Sequence, residues 1–257
     1  MEISPDRLVD VAAEAARAGG DFLADEFRTG HVSGEYGVDD VKAEADVAAE
    51  RRVLEVVDEA FPAHATHGEE SGYRGDSDYV WLVDPLDGTN NFADDFPSFA
   101  TAVCCHYEDD PVAAAIYEPL PDTMYRATCD GRATANGESL SADSDVPLEH
   151  GTVSYVVGLP AVRDEELQPD AHAISDALES VCKRVLQTWS PCVDWGLLAR
   201  GATEGVVCFH PDPYEQYPGT LLAEQSGAAT RATDALYVAA PDAETRDRLF
   251  ETATSVL

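Results

Sequence analysis

The chain has 257 residues, 44% of them apolar, and a net charge of −34 from 50 acidic and 16 basic side chains. This composition is that of a globular protein, and it excludes a membrane-spanning one, because no run approaches the ~20 apolar residues that a bilayer requires. The charge repels nucleic acid and anionic membranes, so neither is expected as a partner, and the N-terminus lacks the features of a signal peptide, so a cytoplasmic location is expected.

The first part of the chain predicts two helices. Ser4 and Pro5 are a capping residue and a first-turn proline, which indicate the start of a helix. In the second helix, Val47 and Val57 share one apolar face, and Pro62 ends the helical pattern.

Strands predominate from Tyr79 to about Asn136, where Asn136-Gly137 is a strong hairpin signal. Cys104 and Cys105 fall in an apolar run, so their side chains should point to opposite faces of a strand. Without any Cys-x-x-Cys spacing, the six cysteines are interpreted as reduced, small apolar residues rather than as zinc ligands or disulfides.

After about residue 148, short strands and helices alternate, and no internal repeat or flexible linker is found. Two prolines affect this pattern: Pro169 interrupts one helix, and Pro218 lies at the start of another, which begins at Tyr217. Strands are predicted over residues 152–157, 185–188, 205–209 and 236–239, and helices over residues 164–180, 192–201, 217–227 and 242–256.

The most informative segment runs from Trp81 to Phe92. An apolar strand ends in two carboxylates, Asp84 and Asp87, and a Gly88-Thr89 turn follows at once. Ligand sites of open α/β sheets lie at such strand ends. Two close carboxylates repel each other unless a cation lies between them, and oxygen ligands favour Mg²⁺. The turn can then offer backbone N–H groups to a phosphate.

An ordinary surface turn is the alternative interpretation, because Asp and Gly suit turns chemically. The whole segment is more specific than an Asp-Gly pair, because it combines Trp81, two acids, Gly-Thr and Asn-Phe, with a second acid pair upstream at Glu69-Glu70.

These two segments resemble the inositol monophosphatase family, and the similarity continues through residues 96–100, 115–119, 136–137 and 193–201. The resemblance implies an α/β (α+β layered) fold, an αβαβα sandwich of the sugar phosphatase type. It also implies an N-terminal lobe over residues 1–145, a C-terminal lobe over residues 146–257, and a homodimer.

The resemblance also implies the ligands of Mg²⁺: Glu69, Asp84, the backbone carbonyl of Leu86, Asp87 and Glu215. Catalytic roles fall to Asp46 and Thr89, which match a pair that orients the attacking water, and to Glu70 beside the metal ligands. The substrate would contact Asp87, Gly88, Thr89, Ser190 and Glu215.

The chain departs from the family pattern at several positions. Glu215 stands where an Asp normally binds the second metal, which extends the carboxylate by one methylene. Ala43 replaces a Thr, Cys208 replaces an acid that contacts substrate, and Trp189-Ser190 replaces a small Gly-Thr or Gly-Ser element. Because these positions shape the alcohol side of the site, the reaction is better defined than its substrate.

The acidic residues are spread along the whole chain and form no tail. Their repulsion destabilises the compact state, and ~1 M salt removes most of that cost by shortening the Debye length to ~3 Å. We therefore expect a salt-adapted, halophilic protein; an acidic protein that binds a basic partner is the alternative.

Together these features predict a phosphoric monoester hydrolase that acts on a small sugar or polyol phosphate, inositol monophosphate and/or fructose 1,6-bisphosphate, by metal-activated water. Two alternatives stay open. One is a divergent relative that binds metal and a phosphorylated ligand without hydrolysis, and the other is a 3′-phosphoadenosine-type nucleotide phosphatase.

Overall fold

The computed structural model describes residues 3–30, 34–36, 41–108 and 110–257. Within these residues, the α-helices are α1 (Pro5–Thr29), α2 (Glu44–Ala60), α3 (Thr89–Ala93), α4 (Leu159–Arg163), α5 (Gln168–Glu179), α6 (Pro191–Ala199), α7 (Pro213–Gln225) and α8 (Ala243–Thr254). The strands are β1 (Gly34–Tyr36), β2 (Val41–Ala43), β3 (Ala65–Gly68), β4 (Gly72–Arg74), β5 (Tyr79–Asp87), β6 (Ala100–Tyr107), β7 (Asp110–Glu118), β8 (Thr123–Thr128), β9 (Thr134–Ala135), β10 (Glu138–Ser139), β11 (Thr152–Val157), β12 (Arg184–Leu186), β13 (Gly205–Phe209), β14 (Ala229–Ala232) and β15 (Leu236–Ala240).

The strands from β3 to β10 form the large sheet, in the order β10-β9-β8-β7-β6-β5-β3-β4. Its pairs are antiparallel except for β3 and β5, which are parallel. Both faces are buried, so its central strands are apolar at nearly every position. Cys104 and Cys105 pack into different apolar clusters on opposite faces, as predicted from the alternation of side chains along a strand.

The strands from β11 to β15 form the small sheet, in the order β12-β11-β13-β15-β14. Helices α5 and α8 pack on one face of it, and α6 and α7 lie between the two sheets. Helices α1 and α2 cover the outer face of the large sheet. The layers therefore alternate as αβαβα, which confirms the predicted fold class. The boundary between lobes near residue 145 stays a prediction.

Three local predictions are wrong. Val47 is 58% exposed, and the buried face of α2 instead carries Asp46, Ala49, Glu50, Val53 and Val57. Pro169 starts α5 rather than interrupting a longer helix, because its fixed φ suits the first turn. Helix α7 begins at Pro213, because Asp212 caps it there by accepting a hydrogen bond from the Tyr214 N–H. The helix then continues through Pro218.

The six cysteines are all free, as the sequence predicted. None of the helices in the described part of the chain is both long enough and apolar enough to span a bilayer.

Helices α6 and α7 approach each other closely at Gly219 and Trp195. A Cβ atom added at Gly219 would collide with the indole ring of Trp195, which is fully buried. The absence of a side chain at Gly219 is what allows α7, and with it Glu215, to lie between the two sheets.

We therefore expect Gly219→Ala to lower the free energy of unfolding by about 1–3 kcal/mol, because the added methyl group overpacks this contact. Urea unfolding measures the change. As the control, Glu224→Ala alters an exposed position of the same helix and should change the free energy by less than about 0.5 kcal/mol. Equal stability of the two variants would contradict the close approach.

Candidate metal and phosphate site

A cleft of about 760 Å³, including the solvent at its mouth, opens where β5 meets α3 and where α6 and α7 begin. Five of its lining residues are acidic, and no lysine or arginine is found among the described residues that line it. The lining comprises Glu69, Asp84, Leu86, Asp87, Gly88, Thr89, Asn90, Tyr155, Val156, Val157, Leu159, Gln187, Trp189, Pro191, Asp194 and Glu215.

A local irregularity in β5 brings Asp84 and Asp87 to the same cleft. Side chains three residues apart in a regular strand point to opposite faces of the sheet. Opposite β6, however, Asp84 pairs with Ala102 and Asp87 with Ala100, so β5 contains one extra residue. The Thr101 hydroxyl donates a 2.8 Å hydrogen bond to the Pro85 carbonyl within this bulge. Both carboxylates can therefore line one site.

Asp84 is nearly fully buried, and its Oδ1 atom has no hydrogen-bond partner among the described residues. Burial raises its pKa well above the ordinary value, and the negative charges of Glu69, Asp87, Glu215 and Asp46 raise it further. A buried carboxylate without a partner is costly unless a cation compensates it. This atom is the strongest indication of a metal in the described structure.

Asp87 is also buried but is better satisfied. Its Oδ2 atom accepts hydrogen bonds from the Ser190 hydroxyl at 2.5 Å and from the Cys192 N–H at 2.9 Å. Burial raises the pKa of Asp87 to about 7, although both hydrogen bonds favour the charged form. These donors fix one oxygen of Asp87 and leave the other for a ligand.

Donor atoms of Asp84, Asp87 and Cys192 lie within 4.8 Å of one another. Burial, together with the charges of Asp87 and Asp84, raises the pKa of the Cys192 thiol well above its ordinary value. A neutral thiol is a poor ligand, so the oxygens define the site, and their chemistry fits a hard cation such as Mg²⁺.

Glu69 and Glu215 line the same cleft from two other segments. Glu69 lies in the turn between β3 and β4, and its N–H donates to the carbonyl of Val83, next to Asp84. Glu215 lies in the first turn of α7, and burial and the charge of Asp87 raise its pKa. Neither belongs to the set of donor atoms within 4.8 Å of one another among the described residues.

Of the predicted water-orienting pair, Thr89 lines the cleft, and Asp46 lies on the neighbouring helix α2. Asp46 is buried in the first turn of α2, and its charge contributes to the raised pKa of Asp84. The Thr89 hydroxyl donates to the Leu86 carbonyl at 2.9 Å. That carbonyl oxygen has a second lone pair, which leaves it free to bind a metal as well.

Glu70 does not line the cleft, and its backbone N–H instead donates to Glu50 at 2.9 Å. Glu50 also accepts a 3.0 Å hydrogen bond from the Ser71 N–H, so it holds the turn that carries Glu69. Glu50 was not among the residues predicted from the sequence. Its spacing of four residues from Asp46 was the available signal, because this spacing puts both acids on one helix face.

Gly88 connects the carboxylates to α3 and requires glycine for two reasons. Its φ is 91°, and a Cβ atom there would lie 2.9 Å from the Ser98 carbonyl oxygen. This conformation turns the chain into α3, so Gly88, Thr89 and Asn90 line the cleft beside Asp87. The first N–H groups of a helix have no partner within it and can bind an anion.

Ser190 is fully buried, and its hydroxyl binds Asp87. Its predicted contact with substrate stays a prediction, whereas its hydrogen bond orients Asp87. Close by, the Thr188 and Ser154 hydroxyls each donate a 2.7 Å hydrogen bond to Asp194. Burial raises the pKa of Asp194 to about 7. This network holds the start of α6 against the site.

A hydrogen bond between His67 and Tyr214 joins the two sides of the cleft. The Tyr214 hydroxyl lies 2.9 Å from His67 Nε2. The two residues directly precede, respectively, Gly68-Glu69 and Glu215. Spacing within the sequence could not reveal this contact, because the partners are separated by 147 residues.

The raised pKa of Asp87 predicts how the stability of the metal-free protein depends on pH. Between its ordinary value of 3.8 and about 7, the native state holds a proton that the unfolded state has lost. The resulting stabilisation is complete below pH 3.8 and is lost as the pH rises through 7. Urea unfolding in EDTA should therefore show a free energy of unfolding that falls from about pH 5 to about pH 8, and less steeply in Asp87→Asn.

Asp95→Asn is the control, because Asp95 is exposed and its φ of 57° suits asparagine. It should keep the wild-type slope. Added Mg²⁺ should reduce the fall in the wild type, since a cation binds the deprotonated carboxylates. The same slope in Asp87→Asn and the wild type would show that Asp87 does not titrate in this range.

The family model described as "Inositol monophosphatase family" matches residues 4–243. Phosphatase IMPL1, chloroplastic, of Arabidopsis thaliana is 30% identical over 240 residues, which cover 90% of this chain and 64% of that protein. The fructose-1,6-bisphosphatase/inositol-1-monophosphatase of Aquifex aeolicus is 30% identical over 226 residues, covering 86% of this chain and 84% of that protein. An inositol monophosphatase structure from Anabaena superposes with a TM-score of 0.83 at 26% identity, covering 98% and 97% of the two chains. The matched family agrees with the predicted enzyme class, phosphoric monoester hydrolase, and the chain belongs to the inositol monophosphatase family.

Proposed function

We propose that this protein is a Mg²⁺-dependent phosphatase that hydrolyses a small sugar or polyol phosphate monoester, inositol monophosphate and/or fructose 1,6-bisphosphate. The observation that carries the proposal is the buried Oδ1 atom of Asp84, which has no hydrogen-bond partner among the described residues and lies in a cleft with four further acids. Such a cleft repels a phosphate unless cations are bound there.

Asp84, Asp87, Glu69 and the Leu86 carbonyl would hold the cation, and Glu215 would complete the set from α7. Their donors are oxygens, which favour Mg²⁺ over the softer Zn²⁺. When bound, Mg²⁺ neutralises the phosphate oxygens and makes a water molecule more acidic.

Other groups of the site would orient the metal ligand Asp87, the phosphate and the attacking water. Ser190 and the Cys192 N–H hold one oxygen of Asp87, so the other points to a fixed place. The backbone N–H groups of Gly88 and Thr89 would bind the phosphate. Asp46 and Thr89 would orient the attacking water, with Asp46 as the acceptor of its proton.

The choice of substrate is supported by the family and by the similarity to the protein of Aquifex aeolicus that is called a fructose-1,6-bisphosphatase/inositol-1-monophosphatase. The cleft also has an apolar wall, to which Val157 and Leu159 contribute. This wall can contact the carbon skeleton of the sugar or polyol.

We further propose a cytoplasmic, salt-adapted homodimer that binds neither nucleic acid nor membranes. The net charge of −34 supports the salt adaptation and the exclusion of anionic partners. The homodimer is proposed from the family alone.

The function is tested by phosphate release from inositol 1-phosphate and fructose 1,6-bisphosphate in ~1 M KCl, with and without Mg²⁺. We expect turnover with Mg²⁺ only. Asp87→Asn should reduce it by more than about 100-fold, because even outer partners of metal ligands contribute ~10- to 100-fold. Asp95→Asn is the matched control and should retain wild-type activity.

Calorimetric binding of Mg²⁺ and inositol 1-phosphate without phosphate release would instead select the non-hydrolysing alternative. An Asp87→Asn variant with wild-type turnover would contradict the assignment of Asp87 as a ligand.

Salt adaptation predicts that the melting temperature rises by about 5 °C or more between ~0.1 M and ~2 M KCl, which corresponds to ~2 kcal/mol for a chain of this size. The reason is that salt screens the repulsion among the acidic side chains. Differential scanning calorimetry measures the shift. Sucrose at matched osmolality is the control, because it does not screen charge. An unchanged melting temperature in KCl would favour the alternative of an acidic protein with a basic partner.

A further inference from the structure

Trp189 lies on the wall of the cleft and remains 51% exposed. The other two tryptophans, Trp81 and Trp195, are fully buried. A large exposed aromatic side chain loses the stabilisation that burial would bring, and within a cleft it marks a surface for ligand contact.

The backbone at Trp189 is unfavourable for its residue type. Its φ is 57°, in the left-handed region where a bulky residue is a genuine outlier. Such a conformation persists only when the surrounding structure imposes it, and it is concentrated at ligand-binding positions.

The residues on either side of Trp189 impose this conformation. The Thr188 carbonyl accepts a 2.8 Å hydrogen bond from the Asn91 amide, and the Ser190 N–H donates to the Thr188 hydroxyl at 3.1 Å. Ser190 in turn binds Asp87. The segment that projects Trp189 is therefore anchored to the same carboxylate that is proposed to bind the cation.

The surroundings of Trp189 indicate what it contacts. Val157 and Leu159 supply further apolar surface in the cleft, and Gln187 supplies an uncharged polar group. An indole face stacks on flat apolar surfaces, such as a nucleobase or the C–H face of a sugar ring. The phosphate end of the cleft, by contrast, is formed by the acids and by Gly88 and Thr89.

We propose that Trp189 is a specificity-determining residue that stacks on the alcohol part of the substrate, and that the substrate class is a phosphate ester of an alcohol with a flat apolar face. This inference rests on the proposed phosphatase function and adds to it the chemistry that recognises the leaving alcohol.

The test compares the wild type with Trp189→Gly and Trp189→Phe, using inositol 1-phosphate and adenosine 2′-monophosphate as substrates. Glycine suits a φ of 57°, so Trp189→Gly should fold and melt no lower than the wild type. It should raise KM by about ten-fold for the ester that is recognised, with kcat changed by less than about two-fold, because one stacked ring contributes roughly that much. Trp189→Phe should retain most of the affinity.

Two controls separate stacking from damage to the site. Inorganic phosphate has no alcohol part, so its inhibition constant should be the same in all three proteins. Phe96→Ala removes an aromatic side chain that is 55% exposed but does not line the cleft, and it should leave KM unchanged. If Trp189→Gly raises KM more for adenosine 2′-monophosphate, the alcohol that stacks on Trp189 carries an aromatic base. If it raises KM more for inositol 1-phosphate, that alcohol is sugar-like.

A second measurement does not need turnover. Trp189 is the exposed tryptophan, so binding of adenosine or inositol should change the protein's tryptophan fluorescence in the wild type and not in Trp189→Phe. A fluorescence change without activity towards any ester would overturn the phosphatase proposal and retain the stacking site. Activity with an unchanged KM in Trp189→Gly, or a parallel change in phosphate inhibition, would overturn the role of Trp189.

Discussion

The repulsion between buried carboxylates governs this structure. Asp84 and Asp87 lie in a low-dielectric cleft, where their like charges and their burial both penalise the ionised state. Hydrogen bonds from Ser190 and the Cys192 N–H compensate part of the cost at Asp87, while Oδ1 of Asp84 has no such compensation among the described residues. A cation would offset the remaining cost of ionising the two carboxylates. It would also attract a phosphate, which the acidic cleft would otherwise repel. The proposed binding of a metal and that of an anion would therefore be two consequences of one electrostatic arrangement.

The site draws on segments that are distant in the chain, and ordinary packing contacts hold them together. Glu50 holds the turn that carries Glu69 through two backbone N–H groups. On the other side, Gly219 allows α7 to approach Trp195, which brings Glu215 between the sheets. Because these supports involve neither phosphate nor metal, they preorganise the carboxylates before any ligand binds, which is the condition for effective electrostatic stabilisation.

Two residues of the cleft, Gly88 and Trp189, have a left-handed backbone conformation, and they differ as far as possible in the size of their side chains. Gly88 adopts its φ of 91° at no cost and leaves room for the chain to pass Ser98. Trp189 adopts a φ of 57° at a cost and projects a large ring. The first position serves the backbone that is proposed to bind the phosphate, and the second presents a large side chain where the resemblance implies a small one. Differences in substrate between relatives can arise at such a position without disturbing the carboxylates.

Much of the architecture was determined by the sequence itself. The apolar runs with their turn signals predicted most of the helices and strands, including the strand that leads to Asp84, because hydrophobic periodicity and turn chemistry are local properties. The layered fold itself was implied by the resemblance to the inositol monophosphatase family. The placement of the site depended on tertiary structure. Asp84 and Asp87 share a face only because β5 contains an extra residue opposite β6. The hydrogen bonds from Glu50 to the turn that carries Glu69, and the contact between His67 and Tyr214, join segments that are distant in the sequence. Pro218 lies inside α7, whose start the sequence pattern placed at Tyr217 instead of Pro213. The physical reason is that bulges, helix approaches and buried charges depend on partners far along the chain, which no local pattern specifies.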